Sequence, residues 1–209
     1  MWFYGGNKIF MDIIENIKVD KIYVNSLNDD SKLAKDIYKI SPDTDKCIIP
    51  VDKKITVISE GNCSLELTRA NIQNEKYISI DNETSIVSVL KYDKFSMLFT
   101  GDAGVCALNK LKSDLPQNIT VLKVGHHGAK NVINKDIMNY LNPKISLISV
   151  GYNTYGHPNN STLSLLSQSK LLRTDLNHSV KLVVTPKDYT VYTYDPDKMR
   201  YLQNKRIHH

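Results

Sequence analysis

The chain has 209 residues, is 41% hydrophobic and 23% charged, and carries a net charge of +5. This is an ordinary globular composition with enough length for a large core, and no apolar stretch approaches the length of a membrane span. Its Lys and Arg residues are scattered, so the mild positive field favours an anionic ligand without demanding nucleic acid.

Cys47, Cys63 and Cys106 are odd in number and form no CxxC pair, which argues against a disulfide framework or a structural zinc site. The start, MWFYGGNKIF, lacks the apolar core of a secretory signal. Reduced thiols in a cytoplasm are therefore the default expectation for localisation.

In chain order, Gly5-Gly6 leads into Asn7, a fair helix cap. Ile9, Phe10, Ile13, Ile14 and Ile17 then recur at helical spacing, which predicts a helix over 8–17. A short strand follows at Ile22–Val24, and a second helix starts at Ser31 and ends before Pro42. From Cys47 the period changes to two, with strands expected at Ile48-Ile49, Ile55–Val57 and Leu65–Leu67. Residues 70–83 are polar and read as loop.

Ser85–Tyr92 and Phe95–Phe99 form a predicted hairpin across Asp93-Lys94. A helix over Ala103–Leu111, a strand over Ile119–Val124, a helix over Ile133–Leu141 and a strand over Ile145–Val150 follow. The loop YNTYGHPNN carries His157. Ser161 or Thr162 is expected to cap a helix running to about Leu172. Two β segments, Ser179–Thr185 and Tyr189–Tyr194, come last, and the polar, basic tail 195–209 is expected to fray. With no internal repeat and no linker, residues 1–209 read as one domain.

Two strand ends carry chemistry. Met97-Leu98-Phe99 delivers Thr100-Gly101-Asp102, and Ile119–Val124 delivers Gly125-His126-His127-Gly128. If these strands are parallel neighbours, a carboxylate and two imidazoles meet at the sheet edge where open α/β sheets place ligands. Asp and His are ligand types for zinc or manganese.

Asp102 can equally be an N-cap, and a single His at a strand end is more often structural. Two histidines flanked by glycines and facing an Asp reverse that preference. Lys130 and Asn131 follow at the mouth of the next helix, where an anion can sit. His157 is either a turn residue or a ligand or general acid over the same edge. Tyr152 and Tyr155 are a lid or plain loop packing.

The stretches TSIVSVLKYDKFSMLFTGDAG, VLKVGHHGAKN, ISVGYNTYGHP and LLRTD, in this order, resemble the C-terminal half of a metallo-β-lactamase-fold domain of the type attached to the DNA-uptake competence protein ComEC. Residues 5–58 match more loosely. The resemblance implies an α/β (α+β) αββα sandwich with a metal site at one edge and hydrolysis, often of phosphodiesters, by metal-activated water.

On this resemblance Asp102 is a bridging carboxylate, His127 the first choice and His126 the second as a further metal ligand. His157 lies at the same edge and contacts the substrate phosphate or leaving group. Zinc or manganese is the implied cofactor, and DNA or another phosphodiester the implied partner.

The family's His-x-His-x-Asp-His motif normally stands before Gly-Gly, where this chain has Met1, Trp2 and Phe3. The expectation is therefore a domain missing its first strands and much of its metal site, inactive or poorly active alone and completed by a separately encoded N-terminal fragment. The alternatives are a non-catalytic nucleic-acid or protein binding module, or the remnant of a split enzyme.

Overall fold

The computed structural model describes residues 16–25, 48–72 and 80–208. The helices expected over 8–17 and from Ser31, and the Gly5-Gly6 pair, lie wholly or mostly outside the described residues. The chain forms two compact units, Met1–Lys53 and Lys54–His209. In the first, β1 (Ile22–Val24) pairs in parallel with β2 (Ile48–Pro50), Ile22 opposite Ile48.

The second unit is built on a mixed sheet of seven strands in the order β3 (Ile55–Glu60), β4 (Cys63–Thr68), β5 (Val87–Tyr92), β6 (Phe95–Phe99), β7 (Val121–Lys123), β8 (Ile145–Ile148) and β9 (Lys170–Arg173). The first four are antiparallel. From β6 onward neighbours are parallel, with Leu98 opposite Leu122 and Ser146 opposite Leu171. The change of sense follows from the connections. Asp93, in the left-handed region at φ 50°, makes the tight β5–β6 turn. Each later crossover carries a helix, as parallel neighbours require.

Those helices are α2 (Val105–Leu111), α3 (Lys135–Leu141) and α4 (Asn160–Leu166), and α1 (Ile80–Glu83) precedes β5. Alternation along the strands sends side chains to two cores. Val89, Leu98, Leu122 and Ile148 meet Ala107, Leu108, Ile137, Met138 and Leu166 of the helices. Phe95, Met97, Val121, Ile145 and Leu172, on the other face, meet Tyr189 and Val191. These belong to a second, antiparallel sheet of β10 (Val180–Val184), β11 (Asp188–Asp195) and β12 (Arg200–His208). Helices, a mixed sheet and a second sheet thus form a layered α/β sandwich, the fold class expected from the sequence.

Three expectations differ. The tail is not frayed: β12 pairs with β11 from Asp195↔Arg200 to Asp188↔His208. β12 is the edge strand of its sheet, a place where a polar, basic sequence is common. The helix after His157 starts at Asn160, capped by Asn159 rather than Ser161 or Thr162, and ends at Leu166. Leu171 and Leu172 instead join β9, because pairing with β8 satisfies their backbone groups and buries Leu172. Within 70–83, read as loop, Ile80–Glu83 is the helical turn α1.

Candidate functional site at the ends of β6 and β7

The tips of β6 and β7 are locked together. Thr100, buried at the end of β6, donates its hydroxyl to the carbonyl of Lys123 at 3.1 Å. The amide of His126 donates to the carbonyl of Gly101 at 3.1 Å. Gly125 permits this approach, since a Cβ there would lie 2.9 Å from Thr100 Oγ1 and 3.0 Å from the carbonyls of Gly101 and Ala103. The chain then makes one tight turn, His126–Gly128, in which His126 (φ 44°), His127 (φ 53°) and Gly128 (φ 78°) are all left-handed. Such a run is costly for side chains with a Cβ, roughly 1–2 kcal/mol each, and persists only where the surroundings enforce it. Pro158 packs on Gly128, where a Cβ would approach its Cβ to 2.8 Å.

The third contributor is the loop after β8. Asn159 donates its amide to the carbonyl of Gly128 at 2.9 Å, and Thr162 donates its hydroxyl to that of Ala129 at 2.7 Å. His157 is thereby held against His126, ring centroids 5.6 Å apart and planes at 71°. The Nδ1 of His157 is buried and has no hydrogen-bond partner among the described residues.

The two adjacent histidines have different Nδ1 partners. His127 Nδ1 lies 2.7 Å from the carbonyl of Ser149, which can only accept, so Nδ1 carries the proton and Nε2 of the neutral ring keeps its lone pair. His126 Nδ1 faces the side-chain amide nitrogen of Asn82 at 3.3 Å. In that amide orientation Nδ1 accepts, and Nε2 of His126 is an N–H donor suited to an anionic oxygen.

Asp102 supplies the charge. Burial lowers the His126 pKa below its ordinary value; the Asp102 carboxylate opposes that, and the neighbouring imidazoles of His157 and His127 add a little to the lowering. Burial likewise lowers Lys123, again opposed by Asp102. One carboxylate thus acts on an imidazole and an ammonium at the ends of β6 and β7.

Asp102 is not the cap of the following helix. Gly104 holds that position without a side-chain bond, and the buried carboxylate of Glu83 accepts the amides of Gly104 (3.2 Å) and Ala107 (2.7 Å) from outside. The amide of Asp102 itself donates to Ser85 Oγ at 3.3 Å.

Lys130 and Asn131 are exposed and do not stand at the mouth of the next helix, which begins at Lys135 with Asn134 as its cap. The carbonyl of Asn131 instead accepts the amide of Val105, the first residue of α2.

Asn82, Glu83 and Ser85 escaped the sequence reading, since a polar, aperiodic stretch gives no sign of reaching a strand tip. Lys123 had a legible signal: a lone lysine in the apolar run ITVLKV, next to the glycine and histidines.

Among the described residues, no three His, Cys, Asp or Glu side chains converge so that they could hold a metal ion. Catalytic zinc takes three protein ligands and a water, so the described residues by themselves do not supply a full ligand set for the implied cofactor. The arrangement offers an N–H donor at His126 under the influence of the Asp102 carboxylate, the imidazole of His157 packed against His126, and a lone pair at His127, whose Nδ1 is turned to Ser149. No helix among the described residues is long and apolar enough to cross a membrane.

No family model matches the chain. Over 119 residues it is 32% identical to ComE operon protein 3 of Bacillus subtilis (strain 168). The match covers 55% of this chain and 15% of that protein, so the chain corresponds to a small part of its relative.

Proposed function

We propose that Lys54–His209 is the phosphodiester-directed part of a ComEC-type metallo-hydrolase domain, working in DNA uptake and carrying half of the hydrolytic site. The observation that carries this reading is the meeting of Asp102, His126 and His157 at the carboxyl ends of parallel strands. The motif order TGDAG, VGHHG and GHP and the similarity to ComE operon protein 3 support the same assignment. In this reading His126 and Lys130 meet phosphate oxygens, His157 faces the scissile group, and Asp102 with His127 forms the metal-facing side. An ion there would need donors beyond these two side chains.

Purified protein, loaded in turn with zinc and manganese, is to be assayed for metal content, DNA binding across a salt series and turnover of a phosphodiester. The reading expects DNA binding that weakens with salt, as phosphate contacts release counterions, and turnover far below ordinary enzyme rates. Two bound metals with ordinary turnover would mean a complete site. Absence of DNA binding at low salt would remove the phosphodiester assignment. DNA binding unchanged in Asp102→Ala, His126→Ala and His157→Ala would place it elsewhere on the chain and favour a plain binding module.

A further inference from the structure

The loop that brings His157 to the site also carries two tyrosines turned to solvent. Tyr152 is 99% exposed and Tyr155 61%. A tyrosine ring has an apolar body and a polar tip, so an open ring beside a candidate site is a surface that a flat ligand can cover.

The loop is braced. Asn153 donates to the carbonyls of Gly151 (2.9 Å) and His157 (2.8 Å), and its Oδ1 accepts the amides of Tyr155 and His157, both at 3.1 Å. One asparagine therefore fixes the backbone on either side of Tyr155, and the ring is presented from a defined frame.

Tyr155 lies nearly parallel to His157, centroids 6.1 Å apart and planes at 24°. His157 in turn meets His126 edge-on. A ladder of rings thus leads from solvent at Tyr155 to the imidazole beside Asp102. The outer end of that ladder is an open π surface.

Resting on the phosphodiester reading above, we propose that Tyr155, with Tyr152 of the same loop, is a stacking platform for an unpaired nucleobase. The ligand class is then single-stranded nucleic acid or a frayed end. Phosphate contacts alone do not separate one strand from two, whereas a base inside a duplex has both faces already covered. Two side chains are too small a patch for a stable protein interface, which buries roughly 800 Å² on each partner. They are the right size for one or two bases.

The test is fluorescence anisotropy at low salt, with chelator present so that no strand is cut. The probes are a short single-stranded oligonucleotide, an abasic strand of the same length and charge, and a blunt duplex. The expected order is single strand tighter than abasic strand and tighter than duplex. Tyr155→Ala should weaken the single strand by about 5- to 150-fold toward the abasic level, leaving the abasic strand unchanged. Tyr155→Phe should retain binding.

Equal binding of base-bearing and abasic strands, with Tyr155→Ala indifferent, overturns the platform and leaves the phosphodiester reading standing. No binding of any probe ends both. Self-association that Tyr155→Ala abolishes, without preference among probes, would give the rings to a second copy of the chain and also overturn the platform.

Discussion

The backbone amide of His126 donates to the carbonyl of Gly101 across 3.1 Å, tying the residue beside Asp102 to the first of the paired histidines. That bond exists because Gly125 lets the two strand tips touch. Gly125→Ala would push a methyl group against Thr100 Oγ1 and two backbone carbonyls, none of which is a flexible side-chain end. The expected cost is about 1–3 kcal/mol, as for overpacking in a core, read as a drop of several degrees in Tm. DNA binding should fall with it, because His126 and Asp102 separate. A variant that melts and binds like the parent would mean the tips are not held by this contact.

Glu83 holds the start of α2 from another segment of the chain. It is 8% exposed and accepts two amides that otherwise lack an acceptor of this kind. Glu83→Ala should cost about 1.5–3 kcal/mol, the range for hydrogen bonds to a charged group. Glu83→Gln, which keeps an acceptor but loses the charge, should fall between it and the parent in urea unfolding. Equal stabilities for the three proteins would mean water replaces the carboxylate at no cost.

Asp102 raises the proton affinity of His126 against the effect of burial. Asp102→Asn removes that negative charge, so the imidazolium loses its stabilisation and the His126 pKa should move further down from its already lowered value. An NMR titration of the His126 ring reads this directly. An unmoved midpoint would separate Asp102 from the imidazole and weaken the site as drawn.

Arg173 grips Asp175 through two bonds, Nε to Oδ1 at 3.1 Å and Nη2 to Oδ2 at 2.6 Å, and chiefly this holds the carboxyl below its ordinary pKa. A carboxylate with a depressed folded pKa contributes stability that is present above its unfolded pKa, about 3.9, and lost as pH falls through the folded value. The pair is partly solvated, so its share is modest, about 0.2–1 kcal/mol. Arg173→Gln should reduce stability near neutral pH by that amount and flatten the acid limb below about pH 4. Identical acid limbs for the two proteins would show the pair contributes nothing.

Local pattern made much of this molecule legible. The period-two runs 85–92 and 95–99, and the two residues between them, gave the β5–β6 hairpin, because alternation and a short turn are local properties. The strand ends at Asp102 and Gly125 were visible for the same reason, and so was the inference that they meet if their strands are parallel neighbours. Leu171-Leu172 and the polar tail were misread because both depend on a distant partner: β8 for the first, β11 for the second.

Which side chains face one another was decided only by the tertiary structure. The letters His126-His127 carry no sign that one ring turns to Asn82 and His157 while the other turns to Ser149. Three successive left-handed residues, His126 to Gly128, held by the close packing at Gly125 and Pro158, set those directions, and no local propensity favours that conformation at the two histidines. Nor does the order of residues place Glu83 at the start of a helix more than twenty positions away. The sequence determined which chemical groups arrive at the sheet edge, since strand length and turn residues act locally. Close packing of separate segments determined their orientation.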